Sequence, residues 1–166
     1  MTNAISVKER LKKQAIEDGK TMQDKLVTYG LERTIYRLSV SKYAEKFEAL
    51  VSLGLANSRY KDFYDIYVLA DSYNLDGMEL MKAIVETFTH RGTSFDDIAA
   101  FDDDFTKDET IQGRWRAFIK KKKALVKVEF EETMQLLKEL LLPIVDSIHN
   151  NNSFEQTWSK ETKSWR

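Results

Sequence analysis

Residues that interrupt helices are scarce in this chain. Its 166 residues include one proline and six isolated glycines, so few positions favour tight turns. Glutamate, lysine and leucine, which favour helix, are abundant between them. Apolar residues recur at spacings of three and four, as they do on one face of an α-helix. The sequence therefore predicts an all-α fold, a helical bundle of about seven helices.

Several helices can be placed from their apolar stripes. One from about Thr21 should be interrupted in register at Gly30. Its apolar positions are predicted to be core: Met22, Leu26, Tyr29, Leu31, Ile35 and Leu38. A separate helix should run from about Ser41 to Leu53. The strongest helical pattern follows Val128, and Pro143 is expected to bend or break that helix.

Length and charge limit the domain organisation. A chain of 166 residues with 42% apolar residues fits one ordinary domain, which we predict as a single helical domain over residues 1–149 with a polar, loosely ordered tail over residues 150–166. With 26 basic and 27 acidic residues, the chain has no overall charge that would attract nucleic acid.

No stretch approaches the roughly 18 apolar residues of a membrane span, and no secretory signal begins the sequence. We therefore expect a cytoplasmic protein without a membrane partner.

Metal ligands are few. There is no cysteine, and His90 and His149 are far apart, so we predict that both are solvated at helix ends and that no metal is bound. The acidic residues in segment 95–105 lack the glycine and terminal glutamate of an EF-hand loop. We expect helix capping and solvation there rather than metal binding.

Aromatic and charged side chains are densest in residues 57–67. If this segment is helical, its aromatic residues form one stripe, and we expect Phe63 and Tyr67 to be buried. This stripe is the simplest reason for so many rings in one helix.

Two carboxylates and two cations share the same two turns. Arg59 precedes Asp62 by three residues and Lys61 precedes Asp65 by four, spacings at which opposite charges meet on a helix. The simplest interpretation is two surface ion pairs, with Asp62 and Asp65 mostly solvated. The alternative is a functional site.

Two sequence words favour that alternative. They are Ala-Glu-Lys-Phe-Glu-Ala-Leu-Val at residues 44–51, then Asn-Ser-Arg-Tyr-Lys-Asp-Phe-Tyr-Asp-Ile-Tyr at residues 57–67. In this order they resemble the AbiEii/AbiGii-type toxins of abortive phage infection, which have a nucleotidyltransferase-like fold. The resemblance extends over roughly residues 7–148.

The resemblance assigns roles to five residues. It implies that Lys46, Arg59 and Lys61 bind nucleotide and that the catalytic acidic residues are Asp62 and Asp65. It also implies Mg²⁺ and a nucleoside triphosphate.

One part of the family pattern is missing. The family carries a β-sheet with a Gly-Ser or Gly-Gly turn and a pair of aspartates that hold Mg²⁺, and neither word occurs in this chain. Residues 7–42 resemble the family's N-terminal helices and run directly into the word at residue 44. The comparison implies an internally deleted member that keeps the helical parts and lacks the sheet core. We expect no nucleotide transfer by the chain alone.

Three functions stay open. The chain is a shortened AbiEii-like toxin-family protein that keeps nucleotide or RNA contacts, or a non-catalytic helical interaction module that binds an antitoxin or a full-length relative, or an inert remnant. Self-association is also expected, because loss of a sheet would leave apolar helix faces uncovered. A helix is also predicted from about Asp108 to Lys123, with four lysines in its last turn. These lysines are either a solvated helix end or, with Arg114 and Arg116, a phosphate-contacting patch.

Overall fold

The computed structural model describes residues 4–54, 58–96, 98–122 and 126–166. Asn57, Asp97 and Lys123, which belong to the sequence patterns above, lie outside these ranges. The described residues form seven α-helices and three short strands, which confirms the predicted helical bundle. None of these helices is long and apolar enough to cross a membrane.

The chain divides into two compact units, Met1–Ser39 and Val40–Arg166. The first contains α1 (Ala4–Glu17) and the beginning of α2 (Met22–Leu53). A reciprocal capping box starts α2: Thr21 N donates to Asp24 Oδ2 (3.2 Å) and Asp24 N donates to Thr21 Oγ1 (3.1 Å). This cap accounts for the predicted start of the helix.

Helix α2 is one continuous helix where the sequence predicts two. Gly30 lies inside it, so the expected interruption does not occur. Four of the six residues predicted to be core are 43–63% exposed: Leu26, Leu31, Ile35 and Leu38. That prediction was wrong because periodicity shows which residues share a face, but not whether another element covers that face.

The second unit contains the rest of α2 and all later elements. In chain order these are α3 (Tyr60–Ser72), β1 (Leu75–Asp76), α4 (Gly77–Arg91), a 3₁₀ turn (Ala99–Phe101), α5 (Asp103–Lys107), α6 (Glu109–Lys122), α7 (Phe130–His149), β2 (Thr157–Ser159) and β3 (Ser164–Trp165).

Helix α7 is the centre of this unit, since it packs against α3, α4, α5 and α6. It continues through Pro143 without a break. The lost backbone hydrogen bond is offset by the apolar face that α7 buries on both sides of the proline, including Leu140, Leu141, Ile144 and Val145.

Aromatic rings fix α3 against this centre. The Phe63 ring lies 5.7 Å from the ring of Phe130 on α7, and Trp115 of α6 lies 5.4 Å from the same ring. Phe63 and Tyr67 are 0% and 3% exposed, which confirms the predicted stripe. The packing of this stripe determines which side of α3 remains for its charged residues.

Residues 150–166, for which the sequence predicts a loosely ordered tail, carry two strands. The strands form an antiparallel sheet in the order β1-β2-β3. Trp158 is fully buried, and its Nε1 donates to the Ala70 carbonyl at 2.8 Å. Phe154 is also buried. These two aromatic residues hold an otherwise polar segment against the helices.

Candidate functional site

The two sequence words meet in the second unit. Lys46 lies in the later part of α2, Arg59 immediately precedes α3, and the remaining three residues lie in the first two turns of α3: Lys61, Asp62 and Asp65. Because the aromatic stripe of α3 is buried, its polar side is left to face Lys46. We call these five residues the Lys46 cluster.

The ammonium group of Lys46 lies between two carboxylates. Its Nζ is 2.8 Å from Asp62 Oδ1 and 2.7 Å from Asp65 Oδ2. The exposed fractions of the side chains are 20% for Lys46, 7% for Asp62 and 24% for Asp65. The centre of the cluster is therefore a partly buried ion pair that joins two helices.

Two further cations lie at the solvent edge. Arg59 Nε is 3.0 Å from Asp62 Oδ2, and Lys61 forms an ion pair with Asp65. These are the two pairs predicted from the sequence spacing. The Arg59 and Lys61 side chains are 59% and 57% exposed, so both charged ends reach water.

The burial of Asp62 contradicts the expectation that it is mostly solvated. Its Oδ2 is buried and accepts no hydrogen bond from the described residues, although Arg59 Nε lies close to it. A carboxylate is tolerated at this depth because two cations neutralise it. The spacing within α3 gave no sign of this, since Lys46 comes from another helix.

The cluster shifts three pKa values. Burial by itself raises the pKa of Asp65. Hydrogen bonds from Lys46 and Lys61 outweigh this effect, so the pKa of Asp65 lies below its ordinary value of 3.8. Burial lowers the pKa of Lys46, whereas hydrogen bonds to Asp62 and Asp65 raise it above 10.5. Burial, then the Asp65 charge, raises the pKa of the Tyr43 hydroxyl. At neutral pH the lysine and this aspartate are therefore charged and the tyrosine is neutral.

The donor set does not fit the Mg²⁺ that the family resemblance implies. Mg²⁺ is usually bound through one or two carboxylates, with water or phosphate oxygens completing an octahedron, but in the cluster the Lys46 ammonium occupies the space between the two carboxylates. A divalent ion would have to displace that ammonium. Among the residues that the structure describes, no group of three or more His, Asp or Glu side chains is placed to hold a metal.

Sequence reasoning missed a second buried carboxylate, Glu48. Its side chain is 5% exposed and accepts hydrogen bonds from Arg91 Nη1 (2.6 Å) and Thr93 Oγ1 (2.6 Å). These contacts join α2 to the end of α4. The sequence indicated these contacts only by a glutamate that lies between Phe47 and the apolar residues 49–51. With both of its carboxylate oxygens paired, Glu48 holds α2, the helix that carries Lys46, against the end of α4.

The basic helix α6 is only partly suited to binding phosphates. Lys120–Lys122 lie in its last turn. Of these, Lys120 lines a cleft of about 650 Å³ together with Arg116. Trp115 is fully buried, and its Nε1 donates to the Val128 carbonyl. Its ring therefore cannot stack on a nucleotide base. The phosphate-contacting patch stays a prediction for the lysines and arginines alone.

Comparison with known proteins identifies a family. Searches of curated proteins and of solved structures found no match. A family described as the nucleotidyl transferase AbiEii toxin of type IV toxin–antitoxin systems matches residues 41–136. This match spans more than half of the chain and includes both sequence words. The chain therefore belongs to the AbiEii nucleotidyl transferase toxin family.

Proposed function

We propose that the chain is a shortened AbiEii-family protein that binds nucleotide phosphates at the Lys46 cluster and does not itself transfer a nucleotide. One observation carries the proposal: the cluster has three cations and two carboxylates, and therefore one positive charge in excess. Two of those cations, Arg59 and Lys61, have exposed side chains at its edge. Such an edge attracts an anion.

The geometry indicates how phosphates would be held. Arg59 offers a planar set of donors to phosphate oxygens, and Lys61 adds a mobile point charge. Lys46 can reach a phosphate only by giving up one carboxylate. Asp65 is the one to be exchanged, because it is more exposed than Asp62. This competition should make binding weaker than at a site with unpaired cations.

Thermal melts with each nucleoside triphosphate test this proposal. A ligand that binds only the folded state raises its stability, by about 2.7 kcal/mol at a concentration one hundred times Kd. We expect the parent protein to melt at higher temperature with nucleotide. The double variant Arg59→Ala, Lys61→Ala should melt at the same temperature with and without nucleotide.

A matched control distinguishes nucleotide binding at the Lys46 cluster from a general effect of removing a positive charge. Lys82 is 75% exposed and forms a similar pair with Glu86 on α4, so Lys82→Ala removes a cation outside the cluster and should keep the parent's nucleotide shift. A parent protein without any shift would contradict the proposal, as would a double variant that keeps it.

The second candidate function is a non-catalytic interaction module, favoured by the exposed apolar face of α2. An antitoxin is the partner that the family implies, and RNA and a second copy of the chain are further candidates. For each of these functions we propose a cytoplasmic protein that takes part in defence against phage. Copurification with the product of an adjacent antitoxin gene would support the module, whereas failure of both the melts and the copurification would leave an inert remnant.

A further inference from the structure

The early part of α2 presents an apolar stripe that the described residues leave uncovered. Val27, Leu31, Ile35 and Leu38 follow one another at spacings of four, four and three, so they share one helix face. They are 53%, 59%, 63% and 63% exposed. We call these four residues the α2 stripe. Leu26 is 43% exposed but lies about 100° around the helix from Val27 and is not part of the stripe.

Exposed apolar residues that occur singly need no explanation, because much of any protein surface is apolar. The α2 stripe differs because its members are neighbours on one helix, over about 17 Å at 1.5 Å per residue. Contiguous patches of this kind mark binding surfaces.

We propose that the α2 stripe is the contact between two copies of this chain. The residues interleaved on the same side, Gly30 and Thr34, are uncharged. Two identical stripes can therefore meet across a two-fold axis without burying a charge. A side chain at Gly30 would find no atom within 4 Å, so the backbone there is open to close approach by a second helix.

The size of the stripe fits a weak dimer. Patches of this kind expose roughly 400 Å², so two copies with their flanking residues would bury about 1,000 Å², at the lower limit for a specific interface. We expect dissociation in the micromolar range. The inference goes beyond nucleotide binding, since no stripe residue belongs to the Lys46 cluster.

Sedimentation velocity across the micromolar range tests the proposal. The mass of the parent protein should rise with concentration toward twice the monomer mass. The double variant Leu31→Glu, Ile35→Glu should stay monomeric, because it would bring four like charges together. Ile16→Glu is the matched control, since Ile16 is 75% exposed on α1 outside the stripe, and it should associate like the parent.

A spin-label measurement locates the contact independently. The chain has no cysteine, so Thr34→Cys introduces a single site for a nitroxide near the middle of the stripe. Dipolar coupling between labels should appear at concentrations where the parent dimerises and vanish on dilution. A monomeric parent would overturn the proposal. So would a dimer that survives Leu31→Glu, Ile35→Glu, or one without coupling at position 34.

Discussion

Asp62 and Asp65 are three residues apart on α3, but their removal should affect stability differently. Asp62 is the more buried, and its removal leaves Lys46 with one of its two carboxylates and takes away the contact between Arg59 and Asp62. We expect Asp62→Ala to lower the free energy of unfolding by about 2–4 kcal/mol. Asp65→Ala should lower it by about 1 kcal/mol or less, because Lys46 remains paired with Asp62. Urea denaturation measures both.

Asp103→Ala is the control for this pair of variants. Asp103 is 70% exposed and pairs with Lys107 and Lys138, so its removal should lower the urea midpoint less than removal of Asp62 does. Equal losses for the Asp62 and Asp65 variants would mean that the difference in burial has no energetic consequence.

The lowered pKa of Asp65 should make the stability of the protein depend on pH. Its pKa in the folded protein lies below the ordinary 3.8. A lowered carboxyl pKa contributes stability that is present above the unfolded-state pKa and is lost as pH falls through the folded-state value. The urea midpoint of the parent should therefore fall more steeply than that of Asp65→Asn as the pH is lowered from about 5 to about 3. Parallel curves would show that Asp65 gains nothing from its partners.

The sequence predicted the neighbours of these aspartates better than the aspartates themselves. Burial of Phe63 follows from helical spacing within α3, which is local information. Burial of Asp62 depends on Lys46, sixteen residues earlier on another helix. The periodicity within α3 gives no information about that contact. The resemblance to a family grouped Lys46 with Asp62 and Asp65, which the structure places in contact, but it did not supply the geometry of that contact.

At the scale of elements, substitution of two glycines by alanine should change the stability of the protein in opposite directions. A Cβ at Gly77, in the first turn of α4, would lie 2.6 Å from both the Gln156 carbonyl and the Phe154 ring. Gly77→Ala should therefore displace the segment before β2 and destabilise the protein by about 1–3 kcal/mol. Gly113 is inside α6 with no atom within 4 Å of a Cβ, and Gly113→Ala should stabilise by about 0.5–1 kcal/mol. Thermal or urea melts measure whether each variant gains or loses stability. Destabilisation by both variants would contradict the packing described at α6.

The elements that the sequence described least well are those whose ends depend on distant contacts. Gly30 has a weak preference against helix, about 1 kcal/mol relative to alanine, and the rest of α2 outweighs it. The strands of residues 150–166 are held against the helices by side chains such as Trp158, which is buried and donates to the Ala70 carbonyl. Neither outcome is encoded within a short window of sequence. The α7 pattern was predicted correctly because its long apolar face makes its own strong signal.

For the whole molecule, membership of a nucleotidyl transferase family leaves open whether this chain performs the transfer. Phosphoryl transfer depends on positioning the phosphates and neutralising their developing charge. In the Lys46 cluster the carboxylates are already paired with the cations. The described residues also form only one small sheet, of three strands with two or three residues each. We propose that this arrangement attracts a triphosphate, and we expect that it does not align one for attack.

We therefore expect that the purified chain transfers no nucleotide. The measurement incubates it with each labelled nucleoside triphosphate, Mg²⁺ or Mn²⁺, and bulk tRNA, beside the double variant Lys46→Ala, Asp65→Ala. Neither protein should label the RNA, because Lys46 is held by two aspartates and no described group replaces the paired metal ligands of the intact family. Label on RNA with the parent and not with the variant would show instead that the cluster rearranges around a bound nucleotide and is catalytic.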